Sequence, residues 1–426
     1  MLNGRICREL QLRIVSTLSA MPPTSEILGE AQLLDGSKSR RALSGFLLFG
    51  VLTSALGAFL PAWGYHLQSH FVTVGNYFLS LNAGLLVALR VAFSLIPRKG
   101  VVYTLVLASS IACAAFIGLA FTPVAASPMW RGIALLLLGF AAGLLNAAVF
   151  HAVTPLYYHD RASTVTLAGT LYGLGCFLTA LLVAGTYYVY TVTAILVLFA
   201  AIPGLFVIVF ARGKFSSEIL KNELPLRRVI EDFKNPGAVL FALLLFFQFG
   251  NEWSIAGWLP IFLIRRLGVS PEGSLWMLTF YWGSLLVGRV AASGLLKIVS
   301  HGKLLLWSIV LALFGCIVLT FTSNRFGANT GILFIGCGFA PIYPLLVEKI
   351  GHRFKYFHPG LYNGIFSFAF TGGLMAPGIL GYLAQVFGVG VVMVIPMLGT
   401  FLVFVLFLLI LLEAKLSGDL STRASA

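Results

Sequence analysis

Gly84-Leu85-Leu86-Val87-Ala88-Leu89-Arg90-Val91-Ala92 has a counterpart in Gly283-Ser284-Leu285-Leu286-Val287-Gly288-Arg289-Val290-Ala291, 199 residues further along the chain. The same shift carries Leu60-Pro61 onto Leu259-Pro260, Gly132-Ile133 onto Gly331-Ile332, Gly139-Phe140-Ala141 onto Gly338-Phe339-Ala340 and Gly173 onto Gly372. Coincident Leu and Ala are expected by chance in an apolar chain. Pro, Arg and several Gly at one constant, gapless offset are not, so the chain is an internal duplication. Of its 426 residues 59% are apolar and 10% charged, with a mean hydropathy of +0.97. A soluble domain carries about a quarter charged residues, so this composition excludes a soluble enzyme.

Apolar runs of about 20 residues, the length needed to cross hydrocarbon as a helix, recur twelve times. They cover Ala42 to Tyr65, Val72 to Leu95, Val101 to Thr122, Gly132 to Val153, Thr164 to Ala184 and Thr191 to Ala211 in the first half. In the second they cover Gly237 to Leu263, Gly273 to Leu296, Leu304 to Thr322, Gly331 to Val347, Gly360 to Ala384 and Gly388 to Leu412. The longest polar interruption, Arg212 to Asn235, separates the halves. The expected organisation is an N-terminal tail (1–41), a six-helix bundle (42–212), a linker (213–235), a second bundle (236–414) and a short tail (415–426).

The net charge of +14 has a topological reading. If the N-terminus is cytoplasmic, 22 of the 28 Lys and Arg fall in cytoplasmic segments, four lie outside (Arg131, Arg265, Arg266, Arg325) and two near helix ends (Arg90, Arg289). The positive-inside rule then places both termini in the cytoplasm of a cell (inner or plasma) membrane. The first tail has no signal-peptide h-region. Met21, before Pro22 and Pro23, is as good a start as Met1. The basic residues do not cluster with aromatic platforms, so nucleic acid is not expected. Four of the five cysteines (Cys113, Cys176, Cys316, Cys337, but not Cys7) lie in apolar stretches, with no CxxC and no metal-ligand spacing. No metal and no cofactor is expected.

Two parallel six-helix repeats joined by a basic linker resemble the major facilitator superfamily, and the motif regions agree with that resemblance. Gly288-Arg289 followed by Gly294-Leu295-Leu296-Lys297-Ile298-Val299-Ser300-His301-Gly302-Lys303 is similar to that family's Gly-x-Leu-x-Asp-Arg-x-Gly-Arg loop, without its acidic residue. A weaker copy follows Arg90, at Pro97-Arg98-Lys99-Gly100. In the seventh span, Gly250-Asn251-Glu252-Trp253-Ser254-Ile255-Ala256-Gly257-Trp258 resembles the Gly-x-Glu-x(4)-Gly-Trp pattern of fucose-permease-like sugar:cation symporters. The resemblance implies an all-α membrane protein of twelve helices in two pseudo-symmetric bundles. It also implies transport of a small polar solute, a sugar, by alternating access with coupling to protons or sodium. The chain departs from the fucose permeases in having no carboxylate in the first or fourth span: Thr53 stands at the repeat position of Glu252, and Asn146 is the main polar residue of span four.

Glu252 is the one acid deep in a span, where a charged side chain costs on the order of 3 kcal/mol even on lenient scales. It is expected to face the bundle interior and bind the coupling ion, with Gln248 on the same helical face. Glu252 itself, in its other state, and around it Gln248, Asn251, Trp258, Trp63, Asn82, Asn146, Tyr172, Tyr281, Tyr343 and Asn363 are the candidate substrate ligands, because amides and an aromatic platform suit a hydroxylated ring. Trp and Tyr also gather at bilayer interfaces, and Asn and Gln also join helices by hydrogen bonds. Arg90 and Arg289, at equivalent repeat positions, are expected at the cytoplasmic gate, with Glu348 as partner of Arg289. Simple snorkelling to the interface is the alternative for either arginine. His66 and His151 read as interfacial polar residues. Glycines in spans five and eleven, with Pro377, permit close packing and bending.

Two other readings compete with symport: export or flipping of an amphipathic compound, suggested by 36 Phe and a single deep acid, and a non-transporting receptor. A membrane enzyme lacks the paired acids or nucleophile it needs. The absence of a Gly-x(4)-Gly-Lys-Ser/Thr motif argues against an ATP-driven pump. The expected partners are a small-molecule substrate, a coupling cation and the lipid bilayer, with the protein a monomer.

Overall fold

The computed structural model describes residues 41–67, 70–122, 127–159, 161–213, 235–354 and 359–424. Its elements are helices: α1 (Ser44–Ala62), α2 (Phe71–Lys99), α3 (Val101–Ala120), α4 (Pro128–His159), α5 (Arg161–Thr186), α6 (Val192–Ala211), α7 (Pro236–Leu267), α8 (Pro271–Leu295), α9 (His301–Phe321), α10 (Arg325–Phe339), α11 (Ile342–Arg353), α12 (Pro359–Phe387) and α13 (Val391–Ala424). Among the described residues twelve stretches are long and apolar enough to cross a membrane, in the order the apolar runs predict. The tenth is not one continuous helix. It breaks between α10 and α11 because Pro341 has no N–H to return to Cys337 and its ring crowds the preceding turn.

Local chemistry sets the ends of the two helices that matter most here. Asn235 caps α7 by accepting a bond from the Gly237 N–H at 2.9 Å, and Pro236 fills the first turn, where a missing N–H is harmless. Gly268, at φ 62°, closes α7 in the left-handed conformation. Two residues later Ser270 caps α8 through the Gly273 N–H at 3.2 Å, with Pro271 again at the first position. Arg265 and Arg266, read from the sequence as loop residues, belong to the last turn of α7, where cations complement the helix dipole.

The packing obeys the duplication. In the first half α2 packs on α4, α3 on α6, α1 on α5 and α3 on α4. In the second half α8 packs on α10, α9 on α13, α7 on α12 and α9 on α10. Counted as spans, these are the same pairs shifted by six. The interface between the halves repeats as well, since α2 meets α12 and α5 meets α8, while α1 meets α7 along the centre. The result is two pseudo-symmetric six-helix bundles. One feature breaks the symmetry: α7 also packs extensively on α13, whereas α1 barely touches α6.

Lipid tails are as apolar as leucine, so helices in a bilayer associate through close packing rather than water exclusion. Small residues supply it here. A β-carbon on Gly84 would overlap the Leu136 carbonyl, and one on Gly139 would overlap that of Leu81, so α2 and α4 approach at their backbones. Across the halves, Gly75 of α2 lies against Gly378 and Gly381 of α12, and Gly57 of α1 against Ala256 and Gly257 of α7. Gly139→Leu is expected to destabilise the fold by about 2 kcal/mol through overpacking. Fluorescence-detected size exclusion after a heat step should show this as a lower melting temperature, and Leu137→Ala, on the exposed face of the same helix, should change it little.

Candidate functional site

A cavity of about 30 Å³ lies between the halves near mid-depth. It is lined by Thr53, Ser54 and Gly57 of α1, Phe78, Leu81 and Asn82 of α2, Tyr172 of α5, Trp253, Ala256 and Gly257 of α7, Trp282 of α8 and Pro377 of α12. That space holds about one or two waters and is far below the several hundred Å³ of a typical small-molecule site. The two-fold repeat shows in the lining, because Ser54 and Trp253 are equivalent positions, as are Gly57 and Ala256, and they face each other across the cavity.

Of the ligands expected from the sequence, Asn82 and Tyr172 line this cavity. Asn82 is buried and donates from Nδ2 to the Leu374 carbonyl of the opposite half, and its Oδ1 has no hydrogen-bond partner among the described residues. Tyr172 stands edge-on to Trp282, ring centroids 6.3 Å apart, and 5.6 Å from Phe49. Trp253, Trp282, Phe78 and Ser54 line the cavity without having been singled out. The repeat carried the signal for Trp253, since Thr53 and Ser54 lie opposite Glu252 and Trp253, but the acid drew the reading to its own side of the helix.

The other candidates sit elsewhere. Trp63, at the far end of α1, is stacked on Phe59 at 5.8 Å and lies under the Arg131 guanidinium at 5.5 Å. Arg131 also donates to the Tyr65 hydroxyl at 3.1 Å, and Tyr65 and Tyr77 share a 2.6 Å bond, so this is an aromatic cluster at the end of the bundle. Asn251 turns toward α13 and donates to Thr400 Oγ1 at 3.3 Å. Trp258 donates from its indole to the Pro377 carbonyl at 2.8 Å and packs on Phe78, which ties α7 to α12. Tyr343 lies on α11 with its ring 5.3 Å from Phe249. Asn146 is half-buried on α4 and outside the cavity lining. The side chain of Asn363 lies outside the described residues. His66 is half-buried in the turn after α1, and burial holds its imidazole below the ordinary histidine range, so it is neutral at pH 7.

Glu252 is 6% exposed and does not line the cavity. It interacts electrostatically with Arg289 and Tyr281 of α8 and with Tyr172 and Cys176 of α5. Gln248, one turn earlier, is buried beside it, and its amide interacts with the carboxylate. Tyr281 is fully buried, and its hydroxyl has no hydrogen-bond partner among the described residues.

The expected Arg289–Glu348 gate pair is not formed. Arg289 instead crosses the interface and donates from Nη1 to the Gly169 carbonyl of α5. Gly169 and Gly173 make room for it, since a β-carbon on either would stand 3.3 or 3.2 Å from Nη1. Glu348 sits on α11, beyond the break at Pro341, and faces His301 at 3.2 Å and His352 at 3.8 Å. Arg90 is exposed on α2, as a snorkelling arginine would be, and Asp160, its only acidic neighbour by topology, lies outside the described residues.

Two bundles related by a pseudo-two-fold axis, with a polar-and-aromatic cavity between them, are an architecture that membrane transporters built from parallel repeats also have. Residues 177–376 match the family described as Major Facilitator Superfamily. A glucose/galactose transporter of Brucella abortus is 28% identical over 162 residues, 38% of this chain. The matched stretch spans about two fifths of that relative, 39% of its length. Among solved structures, a D-xylose-proton symporter aligns with a TM-score of 0.68 at 14% identity, covering 86% of this chain and 96% of the other. FucP in its outward conformation aligns at 0.58 and 15% identity, covering 87% and 98%. At such identity these structures establish the fold alone. The relatives matched over part of their length are named as sugar transporters.

Gly173→Leu is expected to push the Arg289 guanidinium off α5 while leaving the buried packing of each half intact. The protein should elute as a folded monodisperse peak, yet its initial rate of solute uptake should fall about tenfold or more.

Proposed function

We propose that this protein is a secondary transporter that carries a sugar across a cell membrane by alternating access, driven by a cation gradient. The observation that carries the reading is the cavity between the halves. Trp253, Trp282, Tyr172 and Phe78 offer flat apolar faces there, and Asn82, Thr53 and Ser54 offer hydrogen-bonding groups, the combination that a pyranose ring with C–H faces and hydroxyl edges requires. The relatives named glucose/galactose transporter support the solute class.

The moving units in this reading are residues 42–212 and 236–414, joined by the linker 213–235. The tails 1–41 and 415–426 lie in the cytoplasm with the linker, on the side where the basic residues collect. Rocking of one unit against the other enlarges the cavity and opens it to one side at a time. Glycine contacts and a few hydrogen bonds hold the units together. Glu252 is the coupling residue. It is central and shielded, and a change in its charge alters its attraction for Arg289, whose guanidinium rests on the opposite unit. The protein works as a monomer, because the cavity is completed by one chain.

The direct test is a solute panel in proteoliposomes with imposed proton or sodium gradients. Monosaccharide uptake above the equilibrium level is the expected result, and amphiphile efflux without sugar uptake would overturn the substrate assignment. Trp282→Ala is expected to raise the half-saturation concentration about tenfold or more. Glu252→Gln is expected to abolish uphill accumulation while equilibrium exchange persists. Full gradient-driven uptake by that variant would refute the coupling role.

A further inference from the structure

The polar side chains that line the cavity from the first half have their hydrogens committed elsewhere. On α1, Thr53 Oγ1 donates to the Phe49 carbonyl at 2.9 Å and Ser54 Oγ to the Gly50 carbonyl at 2.7 Å, the back-bond that a helical Ser or Thr makes to the preceding turn. A carbonyl can only accept, so the direction of each bond is fixed and each hydroxyl oxygen has only lone pairs left. These bonds lie within one helix and hold whichever way the halves move. On α2, Asn82 is 4% exposed and gives its Nδ2 to the Leu374 carbonyl of α12. The same rule orients the amide. Its nitrogen must face the carbonyl, so Oδ1 is the atom left over, buried and without a hydrogen-bond partner among the described residues.

Tyr172 of α5 extends the pattern. Its hydroxyl interacts with Thr53 and Cys176, and the Cys176 thiol, which also lies beside Ser54, reaches the Gly50 carbonyl at 3.5 Å. Both neighbours send their hydrogens to carbonyls of α1, so the phenol is the donor toward them and keeps lone pairs for anything else. Thr53 accepts from Tyr172, which leaves Asn82 Oδ1, Ser54 Oγ and the Tyr172 oxygen facing the cavity as acceptors. The second half contributes the opposite polarity. Trp253 and Trp282 line the cavity there, and an indole N–H donates and never accepts.

A sugar hydroxyl can donate or accept, and its surroundings decide which it does. We propose that the first-half wall reads the solute by the hydrogens it donates, with Asn82 Oδ1 and Ser54 Oγ as the specificity-determining acceptors. This rests on the sugar reading above and narrows it to a neutral sugar whose hydroxyls are unsubstituted on the edge that meets α1 and α2. A fluorine or a methyl ether on that edge sets lone pair against lone pair and leaves Asn82 Oδ1 unpaired out of water. Such unpaired groups are what lets a site reject an analogue of nearly the same size.

Analogues of galactose competing against counterflow of radiolabelled galactose in proteoliposomes test the wall position by position. Each hydroxyl except the anomeric one is replaced by hydrogen and, separately, by fluorine, which cannot donate. At one or more positions both replacements should weaken competition by about tenfold or more, with fluorine no better than hydrogen. If fluorine restores competition wherever hydrogen loses it, the wall donates and the assignment is overturned. It is equally overturned if no position distinguishes hydroxyl from hydrogen. Ser54→Ala and Asn82→Leu each remove one acceptor. At the discriminating position the ratio between fluoro sugar and galactose should shrink to within about threefold in at least one of them, and a ratio preserved in both means that these residues are not the acceptors. The analogue series is run on the wild type, so it decides the polarity of the wall even where a variant fails to fold. Counterflow of no sugar at all would refute the sugar reading and this assignment with it, whereas full competition by the fluoro sugars strikes this assignment alone.

Discussion

A carboxylate at mid-depth in a membrane cannot be satisfied by lipid or by its own helix backbone. Glu252 therefore constrains everything around it. Taking it out of water favours the neutral form, and a nearby guanidinium favours the charged one, so its state depends on where Arg289 is. Arg289 in turn reaches the Gly169 carbonyl only because α5 presents glycines at positions 169 and 173. The carboxylate, the guanidinium and the two glycines come from three helices in two halves, and each has a reason to be where it is only because of the others.

The small-residue interface gives this arrangement its mobility. Within each half, α2 on α4 and α9 on α10 are locked by glycine-to-backbone contacts that a methyl group would disrupt. Between the halves the contacts are fewer, and the hydrogen bonds that cross include Asn82 to Leu374, Tyr382 to Asn76 and Arg289 to Gly169. Packing in a bilayer gains no hydrophobic term from excluding lipid, so close glycine contacts and these few bonds carry the interface between the halves. The cavity the halves enclose, at about 30 Å³, is too small for a sugar until they part.

The fold was legible because the duplication is written in Pro, Arg and Gly, residues whose backbone and packing roles resist drift. Helix number and order follow from run length. The break at Pro341 was visible as a proline, but whether a proline bends or interrupts a helix depends on what re-satisfies the freed groups, and sequence does not contain that. The site was legible in part. Glu252, Gln248 and Tyr281 were found by chemistry, and the structure groups them with Arg289 rather than around the cavity. Glu348 was matched to Arg289 by topology alone, and it failed because the α10–α11 break turns it toward His301. Trp253 and Trp282 were passed over because an aromatic residue in a membrane helix has many ordinary uses. Only the two-fold relation between Ser54 and Trp253 would have distinguished one of them.

The central claim is that solute and proton bind the same molecule at adjoining places, linked through Glu252. It is tested most directly by adding sugar to the purified protein in weakly buffered detergent solution and following proton exchange with a pH indicator. The account predicts proton uptake on sugar binding by the wild type and none by Glu252→Gln. Equal proton uptake by both proteins, or sugar binding by the wild type with no proton exchange across the pH range, would contradict it.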